Sequence, residues 1–392
     1  MIQSRLQNVD ALRGFALLGI LAVNVWAFAD PYYRSGTENT HYASLLDQLV
    51  RFAVGLLFEG KFYLLFSLLF GYSFSLQLDA AQRADTSFKA RMLRRGLGLF
   101  GLGVLHGCLL FDGDILNSYG LLSIVLLAWH HLPPRRAIKR AIWLVVVSAL
   151  LFAALGAIAF FIDDDRAAKA AELGAKLTAF HGSAAAAQAY FMGQFPLNLA
   201  NLPFMGASSL AMFVLGYSAG RERLLARVEE FRRLLPRVLW IGLPLGLAGA
   251  FGEAFANTFY PSMASGLLGV ADNMVTGPFL TASYVALMLM LFDTAAGARV
   301  LAVLAPMGRL ALSNYLMQSA ILAVLFTGYG FRLCDRVPPL GVVGIVCAIF
   351  FGQMALSAWW IRRHTYGPAE WLLRAITNWS FRPSRQRATI GS

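Results

Sequence analysis

Residues 11–29 read ALRGFALLGILAVNVWAFA, an apolar run in which Arg13 is the only charged side chain. A membrane-spanning α-helix needs roughly 20 mostly apolar residues, so this run is about long enough to cross a bilayer. Its continuous hydrophobicity is unlike the alternating pattern of a barrel strand, the other structure that satisfies its backbone in lipid. No convincing cleavage site follows, and the run therefore predicts a first membrane helix, not a signal peptide.

The composition of the whole chain agrees with a membrane protein. Of the 392 residues, 58% are hydrophobic and 14% are charged, whereas a soluble domain is about half apolar and a quarter charged. The formal net charge is +12, but the basic residues flank apolar runs, which favours a role in topology over nucleic-acid binding. Cys108, Cys334 and Cys347 lack the spacing of a zinc site or a disulfide framework. We expect no metal and no nucleic-acid partner.

Ten apolar runs are predicted to cross the bilayer. They lie near residues 11–29, 61–80, 96–111, 114–130, 141–162, 198–219, 237–257, 273–292, 309–330 and 339–361. Lys and Arg concentrate in the loops after the even-numbered runs and in the tail, and such loops stay in the cytoplasm. The predicted fold is an all-α, polytopic membrane helix bundle of about ten transmembrane helices, with both termini cytoplasmic.

We expect a single integral-membrane domain over residues 1–392. Its predicted parts are five spans in 1–162, an extracytoplasmic loop in 163–195, five spans in 196–361 and a cytoplasmic tail in 362–392. Three further segments mix apolar and charged residues at helical spacing, and we expect them to lie along the membrane surface or simply to cover the bundle: 45–58, 167–191 and 221–235.

His106 is the main candidate for chemistry. It follows Arg95 by 11 residues, about 16 Å along a helix, which places it in the outer half of its span at a depth that Asn24 can share. Ionisable residues inside a membrane are costly and are functional candidates by default. Asp112 and Asp114 follow closely, so one of these carboxylates is expected to orient His106 as a general base.

Asn117 lies one turn into the next predicted span and is expected to help position an acceptor or an oxyanion. The alternative is structural, because an Asp-Gly-Asp segment also forms plain reverse turns and a buried histidine can serve packing alone. Glu253 lies between apolar residues and must find a partner or a polar cavity. Glu59 and Lys61 can pair with each other or reach the interface.

Five motifs in this order resemble the YeiB family of bacterial inner-membrane proteins, whose C-terminal half is a domain of unknown function. The resemblance covers residues 5 to 380, and its motifs are VDALRGFALLGILAVN (9–24), GKFYLLFSLLFGYSF (60–74), HGCLLFDGDILNSYGLL (106–122), MGRLALSNYLMQS (307–319) and GPAEWLLR (367–374).

The opening Asp-x-x-Arg-Gly motif is also similar, more distantly, to transmembrane acyltransferases such as heparan-glucosaminide N-acetyltransferase. In the bacterial members of that group a histidine lies near the position of Asn24. The heparan enzyme has its catalytic histidine in the first outer loop, where this chain has His41 at a different spacing. His106 belongs to the pattern that the YeiB family shares, and it remains the expected base.

The resemblance implies a transmembrane acyltransferase. Such an enzyme would take an acyl group from cytoplasmic acyl-CoA or acetyl-CoA and pass it to a hydroxyl or amine of a small-molecule or glycan acceptor at the outer side. We expect His106, Asp112, Asp114, Asn24 and Asn117 to form the catalytic site. Arg13, Arg94 and Arg95 are expected to hold the donor phosphates, although the positive-inside rule alone would also place them there.

Two other functions stay open. A transporter or exporter of a small molecule or lipid would use a site at the midplane and paired broken helices, but spans 1–5 and 6–10 show no clear repeat. A non-catalytic membrane component would bind lipids or a partner, and a homodimer fits either reading. The sequence does not identify which hydroxyl or amine compound is the acceptor.

Overall fold

The structure, a computed structural model, describes residues 2–83, 85, 87–162 and 166–381. Within these ranges the sequence folds into sixteen α-helices and one 3₁₀ turn at Leu224–Ala226. The helices are α1 (Ile2–Ala29), α2 (Leu45–Leu57), α3 (Phe62–Arg83), α4 (Phe88–Leu109), α5 (Leu116–Trp129), α6 (Pro134–Ala159), α7 (Arg166–His181), α8 (Ala184–Ala200), α9 (Leu202–Arg221), α10 (Val228–Phe231), α11 (Leu235–Phe259), α12 (Met263–Phe292), α13 (Ala295–Arg309), α14 (Ala311–Phe326), α15 (Pro339–Ile361) and α16 (Pro368–Asn378).

The prediction of an all-α, polytopic membrane bundle is confirmed. Residues 163–165 of the predicted outer loop and 382–392 of the predicted tail lie outside the described residues. Six segments of the described chain are long and apolar enough to cross a membrane, or seven when α13 and α14 count as one broken span. The expected count of ten is therefore supported only in part.

Three helices that coincide with predicted spans are not among these candidate segments: α4, α5 and α9. The first turns of α4 carry four basic residues, and α5 has only 14 residues, about 21 Å at 1.5 Å per residue. Helix α9 contains several Ser and Gly residues and is buried along much of its length, as at Phe213 and Val214. Helix α5 is thus apolar but short, whereas α9 is less apolar because it is surrounded by other helices and does not face lipid.

Residues 295–309 form helix α13, whereas the predicted spans place most of this segment in a loop. The chain bends by 79° between α13 and α14. The bend lies at Leu310, which caps α14 without a side-chain hydrogen bond. It brings α13 across the start of α1, where Gly14 and Gly308 lie so close to the opposite backbone that neither has room for a Cβ atom.

The core is built around α1, most of whose apolar side chains from Val9 onward are buried. Helices α3, α13, α14 and α15 surround it. A second cluster centres on Tyr119 and Phe213, between α3, α5 and α9. By contrast, α6 presents large apolar residues such as Trp143, Val147 and Leu150 to the outside, as a lipid-facing helix would.

The predicted surface segments are helical where the structure describes them. Helix α2 exposes Leu45, Leu46, Leu49 and Leu57, and it packs against α11. Helices α7 and α8 cover residues 166–200 and pack against each other. Segment 221–235 holds the 3₁₀ turn and α10.

Candidate functional site

His106 lies in the last turn of α4, and Asp114 lies in the loop that leads to α5. The imidazole Nδ1 is 2.7 Å from Asp114 Oδ1, and the two side chains are 1% and 0% exposed. The structure therefore places one of the two candidate carboxylates, Asp114, beside the histidine. Because the pair is fully buried, the carboxylate fixes the orientation of the ring without competition from water.

The start of α5 holds Asp114 in place. The backbone N–H of Asn117 donates to Asp114 Oδ2 at 2.8 Å, so the carboxylate caps the first turn of α5 while its other oxygen meets His106. Gly103 makes this possible, since a Cβ atom there would lie 2.6 Å from Asp114 Oδ2 and 2.7 Å from the Asn117 Cα atom. The side-chain oxygen of Asn117 accepts a hydrogen bond from Ser118 Oγ at 3.0 Å.

The second ring nitrogen of His106, Nε2, is buried and has no hydrogen-bond partner among the described residues. Two aromatic rings flank the imidazole. The ring centroid of Tyr315 is 5.1 Å away and that of Phe111 is 6.2 Å away. The Tyr315 hydroxyl accepts the N–H of Ile115 at 3.4 Å, which places it at the same turn as Asp114.

A polar cavity of about 400 Å³ opens on the side of the C-terminal end of α1. We call it the outer cavity, and its charged, amide and aromatic lining residues are Asn24, Tyr33, Arg34, Phe111, Asp112, Lys169, Glu172, Lys176, Tyr190, Gln194 and Asn198. Asn24 and Asp112 therefore share one cavity, whereas His106 and Asn117 do not line it.

Asp112 does not contact His106 and instead belongs to the wall of the outer cavity. Its carboxylate accepts the N–H of Gly113 at 3.1 Å, and its backbone carbonyl accepts Asn198 Nδ2 at 2.6 Å. Burial raises the pKa of Asp112, and the charge of Lys176 partly opposes that rise. Of the two carboxylates that the sequence left open, Asp114 is the one beside the imidazole.

A second cavity, of about 340 Å³, opens near the opposite end of α1. We call it the inner cavity. Five guanidinium groups line it, those of Arg13, Arg91, Arg95, Arg309 and Arg374. Glu370 is the one carboxylate among its described lining residues. Its interior is apolar and aromatic, with Ile20, Phe66, Leu116, Tyr119 and Tyr315 in the wall.

Of the three arginines predicted to hold the phosphates of the acyl donor, two line the inner cavity and one does not. Arg13 lines the inner cavity, pairs with Asp10 at 2.7 Å and donates to Ser73. Arg95 lines it with the guanidinium 5.9 Å from the ring centroid of Phe70. Arg94 does not line the cavity, and its Nε is buried without a hydrogen-bond partner among the described residues.

Sequence reasoning missed four residues of this region. Arg91, Arg309 and Arg374 join the inner cavity, and Tyr315 lies between that cavity and His106. A signal existed, because Arg309, Tyr315 and Arg374 all fall inside the quoted motifs at 307–319 and 367–374. The sequence could not show that these motifs meet the first five predicted spans.

The chain segment 111–116 runs from the wall of the outer cavity to the wall of the inner cavity. Phe111, Asp112 and Gly113 line the outer cavity, Ile115 and Leu116 line the inner cavity, and Asp114 lies between them, bonded to His106. His106 itself is 3% exposed and lines neither cavity. The imidazole therefore lies in a layer that separates them, behind Phe111 on one side and Tyr315 on the other.

A separate ionic cluster lies between α3, α11 and α12. Lys61 is 1% exposed, its Nζ is 3.7 Å from Glu253 Oε2, and it donates to the Gly55 carbonyl at 3.1 Å. Asn273 Nδ2 also donates to Glu253, at 3.1 Å. The expectation that Glu253 needs a partner is confirmed. Glu59 pairs with Arg34 at 2.7 Å and Lys61 is buried beside Glu253, so neither alternative for Glu59 and Lys61, a mutual pair or a lysine that reaches the interface, is observed.

His41 lies in the outer loop, away from His106. Its Nδ1 is 2.8 Å from Asp335 Oδ2, and the ring is 64% exposed. Asp30, at the end of α1, receives a hydrogen bond from Asn39 and lies near Arg51, and burial raises the pKa of Asp30. These contacts tie the loop after α1 to the segment before α15, so His41 has a partner that links two loops.

Comparisons with known proteins agree with the motif resemblance. Residues 219–380 match the family described as "Protein of unknown function (DUF418)". The chain is 29% identical to the uncharacterized protein YxaH of Bacillus subtilis (strain 168), over 100% of this chain and 98% of that protein. It is 27% identical to the uncharacterized protein YeiB of Escherichia coli (strain K12), over 94% of this chain and 95% of YeiB.

A third relative, described as an uncharacterized 39.9 kDa protein in the amylase 3' region of Bacillus acidopullulyticus, is 25% identical over 96% of this chain and 94% of its own length. No solved structure matches the chain significantly. The alignments with these three relatives cover 94–100% of this chain. The chain is thus a multi-pass membrane protein similar to YeiB and YxaH, and its C-terminal half matches the DUF418 model.

Proposed function

We propose that this protein is a transmembrane acyltransferase. It would move an acyl group from acyl-CoA or acetyl-CoA in the inner cavity to a hydroxyl or amine in the outer cavity, with His106 as the general base. The observation that carries the proposal is the hydrogen bonding of the two nitrogens of the imidazole. Its Nδ1 is held by Asp114, while its Nε2 is buried between the two cavities without a partner among the described residues.

That state suits a general base. When the Asp114 carboxylate accepts a hydrogen bond from Nδ1–H, the lone pair of the ring lies on Nε2, and the carboxylate favours the imidazolium that forms after proton transfer. A buried polar nitrogen without a partner costs free energy, and a structure retains it where a ligand supplies the partner. General-base catalysis of this kind contributes typically 10²- to 10⁴-fold.

The inner cavity suits an acyl-CoA donor. Five arginines at its wall provide charge-assisted hydrogen bonds for phosphate groups, and arginine is well suited to that recognition because its planar fork can bind two oxygens. The apolar residues beyond them suit the pantetheine arm and the acyl group. Tyr315, at the deep wall, is the lining residue that contacts the imidazole.

The outer cavity suits a polar acceptor. Asn24, Gln194 and Asn198 supply amide groups, and Tyr33 and Tyr190 supply aromatic surface. For the reaction, Phe111 and Tyr315 must move aside so that the acceptor and the thioester meet at the imidazole, which lines neither cavity in this structure. The acceptor O–H or N–H then gives its proton to His106 Nε2, and the acceptor atom forms a bond to the thioester carbonyl carbon. The C–S bond then breaks, and the leaving thiolate takes the proton from the imidazolium. The products are the acylated acceptor and free CoA.

We also propose the orientation that this reaction requires, with ten crossings of a bacterial inner membrane and both termini in the cytoplasm. Two sets of residues support it. The arginines that the loop charges assign to the cytoplasm meet at the inner cavity, whereas Asn24 and Asp112, assigned to the outer half, meet at the other cavity. Membrane lipids are then the surrounding partners.

Inside-out membrane vesicles test the proposal, because they expose the inner cavity to added substrate. Acetyl-CoA labelled in the acetyl group should transfer label to material inside the vesicles. Arg95→Gln should raise the KM for acetyl-CoA about tenfold, since a hydrogen bond to a charged group contributes roughly 1.5–3 kcal/mol. Arg94→Gln is the neighbouring comparison and should change KM less than about twofold, because Arg94 does not line the cavity.

The proposal fails if labelled product does not form while the wild-type protein is folded and abundant. It also fails if Arg94→Gln and Arg95→Gln change KM equally, since the cavity wall would then not be the donor site. A transported substrate would give movement of unmodified compound and no acylated product.

A transporter is the second candidate, and one observation favours it. The Lys61–Glu253–Asn273 cluster is a buried set of ionisable and polar groups within candidate membrane spans, as ion-coupled transporters have. Two properties weigh against it. The cluster lines neither cavity, and Glu253 is already satisfied by two partners. Lys61→Met at normal protein abundance should therefore leave acyl transfer measurable.

A further inference from the structure

Helix α16 forms one side of the inner cavity. Glu370, Leu373, Arg374 and Thr377 line it from successive turns, and Tyr366 lines it from the residues just before the helix. The guanidinium of Arg374 lies 4.8 Å from the centroid of the Tyr366 ring. The cavity wall that carries positive charge is therefore in part a short helix, far along the chain from His106.

Glu370 holds the beginning of α14. Its Oε1 accepts the backbone N–H groups of Leu312 at 2.7 Å and Ser313 at 3.1 Å, and its Oε2 accepts the Ser313 hydroxyl at 2.5 Å. The Ser313 hydroxyl oxygen in turn accepts the N–H of Ala369 at 3.0 Å. One carboxylate thus makes three hydrogen bonds to the first turn of a different helix.

The bend at Leu310 explains why this carboxylate is needed. The first N–H groups of a helix lack partners within the helix, and Leu310 has no side-chain acceptor to offer them. Glu370 satisfies them from α16, and its negative charge is favourable at the positive end of the helix dipole. Gly367 provides the space, because a Cβ atom there would lie 2.5 Å from Ser313 Oγ.

The beginning of α14 also carries Tyr315, the residue whose ring lies beside His106. Tyr315 follows Ser313 by two residues, its ring contacts the imidazole, and its hydroxyl accepts the N–H of Ile115 beside Asp114. A shift of α14 at its N-terminus therefore moves the ring that separates the inner cavity from His106. The path from the cavity wall to the imidazole runs from Arg374 to Glu370 along α16, crosses a hydrogen bond to Ser313, and continues along α14 to Tyr315, whose ring lies beside His106.

We infer that Glu370 is a positioning residue, which couples occupancy of the inner cavity by a phosphate-bearing donor to the placement of Tyr315 against His106. The inference rests on the proposed function and adds regulation of the same site. An anion held by Arg374 fixes α16, and α16 fixes the start of α14 through Glu370. Coupling of this kind is reciprocal, so loosening the Glu370 contacts also weakens donor binding.

Hydrogen exchange on the full-length protein in lipid nanodiscs tests the inference, with CoA as the probe and calorimetry on the same sample to measure CoA binding. In the wild type, CoA should slow exchange of the Leu312 and Ser313 amides about tenfold. Glu370→Ala should abolish this slowing. Glu370→Gln, which keeps an accepting oxygen, should restore part of it, and Ser313→Ala is a milder change that should reduce it.

Glu229→Gln is the matched control, because that carboxylate is 78% exposed and lines neither cavity. It should behave as the wild type does. If CoA binds but the two amides exchange at the same rate with and without it, the coupling is overturned while the donor site stands. If CoA does not bind the wild type, the donor site and the coupling are both overturned.

Discussion

At the scale of single residues, the site depends on which carboxylate reaches His106. Asp114 does so because the α4–α5 turn is short and its second oxygen caps α5, which leaves one orientation for the carboxylate. Asp112, two residues earlier, lines the outer cavity and makes its own turn contacts. The two residues therefore differ in role although only Gly113 separates them.

Replacing the base tests this arrangement. His106→Asn should lower acyl transfer roughly 10²- to 10⁴-fold, because a general base is lost, while protein abundance stays normal. Asp114→Asn should lower it by a smaller factor, because the ring keeps a hydrogen-bond partner but loses the negative charge. Transfer measured per amount of folded protein is the readout. His131→Asn changes an exposed histidine and should have no effect.

Loss of both abundance and transfer in His106→Asn would instead assign the residue to packing. The Asp114 variant then distinguishes the roles, since a purely structural pair should lose stability without a change in transfer per folded molecule.

Cys334 offers a test of burial that does not depend on the function. It is 0% exposed in the loop before α15, and burial raises the pKa of its thiol to about 12. Alkylation needs the thiolate, and a raised pKa leaves almost none at about pH 8. N-ethylmaleimide should therefore leave Cys334 unmodified in the folded protein and modify it after denaturation. Peptide mass spectrometry measures this, with Ala185→Cys, at an exposed position outside the candidate membrane spans, as internal control.

Equal labelling of Cys334 before and after denaturation would show that the loops around His41 and Asp335 are open. It would leave the inner cavity untouched, because that cavity lies near the other end of α1.

The sequence could predict the His106 site only where it is local. His106 and Asp114 are eight residues apart across one turn, so their pairing follows from helix and turn geometry. Tyr315 and Arg374 meet this region from far along the chain, and helical periodicity carries no information on which distant helix packs where. That is why Arg94 and Arg95 were indistinguishable in sequence, although only Arg95 lines the cavity.

At the scale of helices, close packing of α4 on α5 sets the geometry of the pair. Gly103 lies against the Asn117 backbone, whereas a Cβ atom at Gly101, two residues earlier in the same helix, would meet no described atom within 4 Å. Of the four glycines in segment 96–103, Gly96, Gly98 and Gly103 lie against other helices and Gly101 does not, so most of the segment packs closely, as small residues allow.

Gly103→Ala should destabilise the protein by about 1–3 kcal/mol, because the added methyl meets backbone that cannot rotate away. Gly101→Ala should be neutral or stabilising by roughly 0.5–1 kcal/mol, since alanine favours the helix and the site is open. Thermal unfolding in detergent measures both. Equal melting temperatures for the two variants would contradict the α4–α5 packing.

The helices themselves were largely predictable, and the bend between α13 and α14 was not. Residues 295–326 read as apolar with a few basic residues, and nothing at Leu310 signals a 79° change of direction. The bend is stabilised from outside by Glu370, which lies about sixty residues later. A helix break that a distant carboxylate satisfies leaves no local signature.

At the scale of the whole molecule, the proposed orientation requires more membrane crossings than hydropathy alone counts. Helix α9 is the informative case, since it is buried among α3, α5 and α6 and falls outside the six candidate spans. Its crossing decides whether residues 185 and 222 lie on opposite sides.

Cysteine labelling settles that point. In a cysteine-free background, Ala185→Cys and Glu222→Cys place thiols at exposed positions on either side of α9. A membrane-impermeant maleimide added to intact cells should label Ala185→Cys, and it should label Glu222→Cys only after permeabilisation. Labelling of both from the same side would show that α9 does not cross, and the ten-span topology would be wrong.

The layer formed by Phe111, His106 and Tyr315 has an electrical consequence. In the proposed orientation the two cavities approach this layer from opposite sides, so the insulating part of the protein would be thinnest there, and much of the membrane voltage would fall across a few aromatic rings. A full unit charge that crosses 100 mV changes in energy by about 2.3 kcal/mol. Proton movement on the imidazole would therefore respond to the energised state of the cell, and collapse of the voltage by an ionophore would alter turnover even with both substrates saturating.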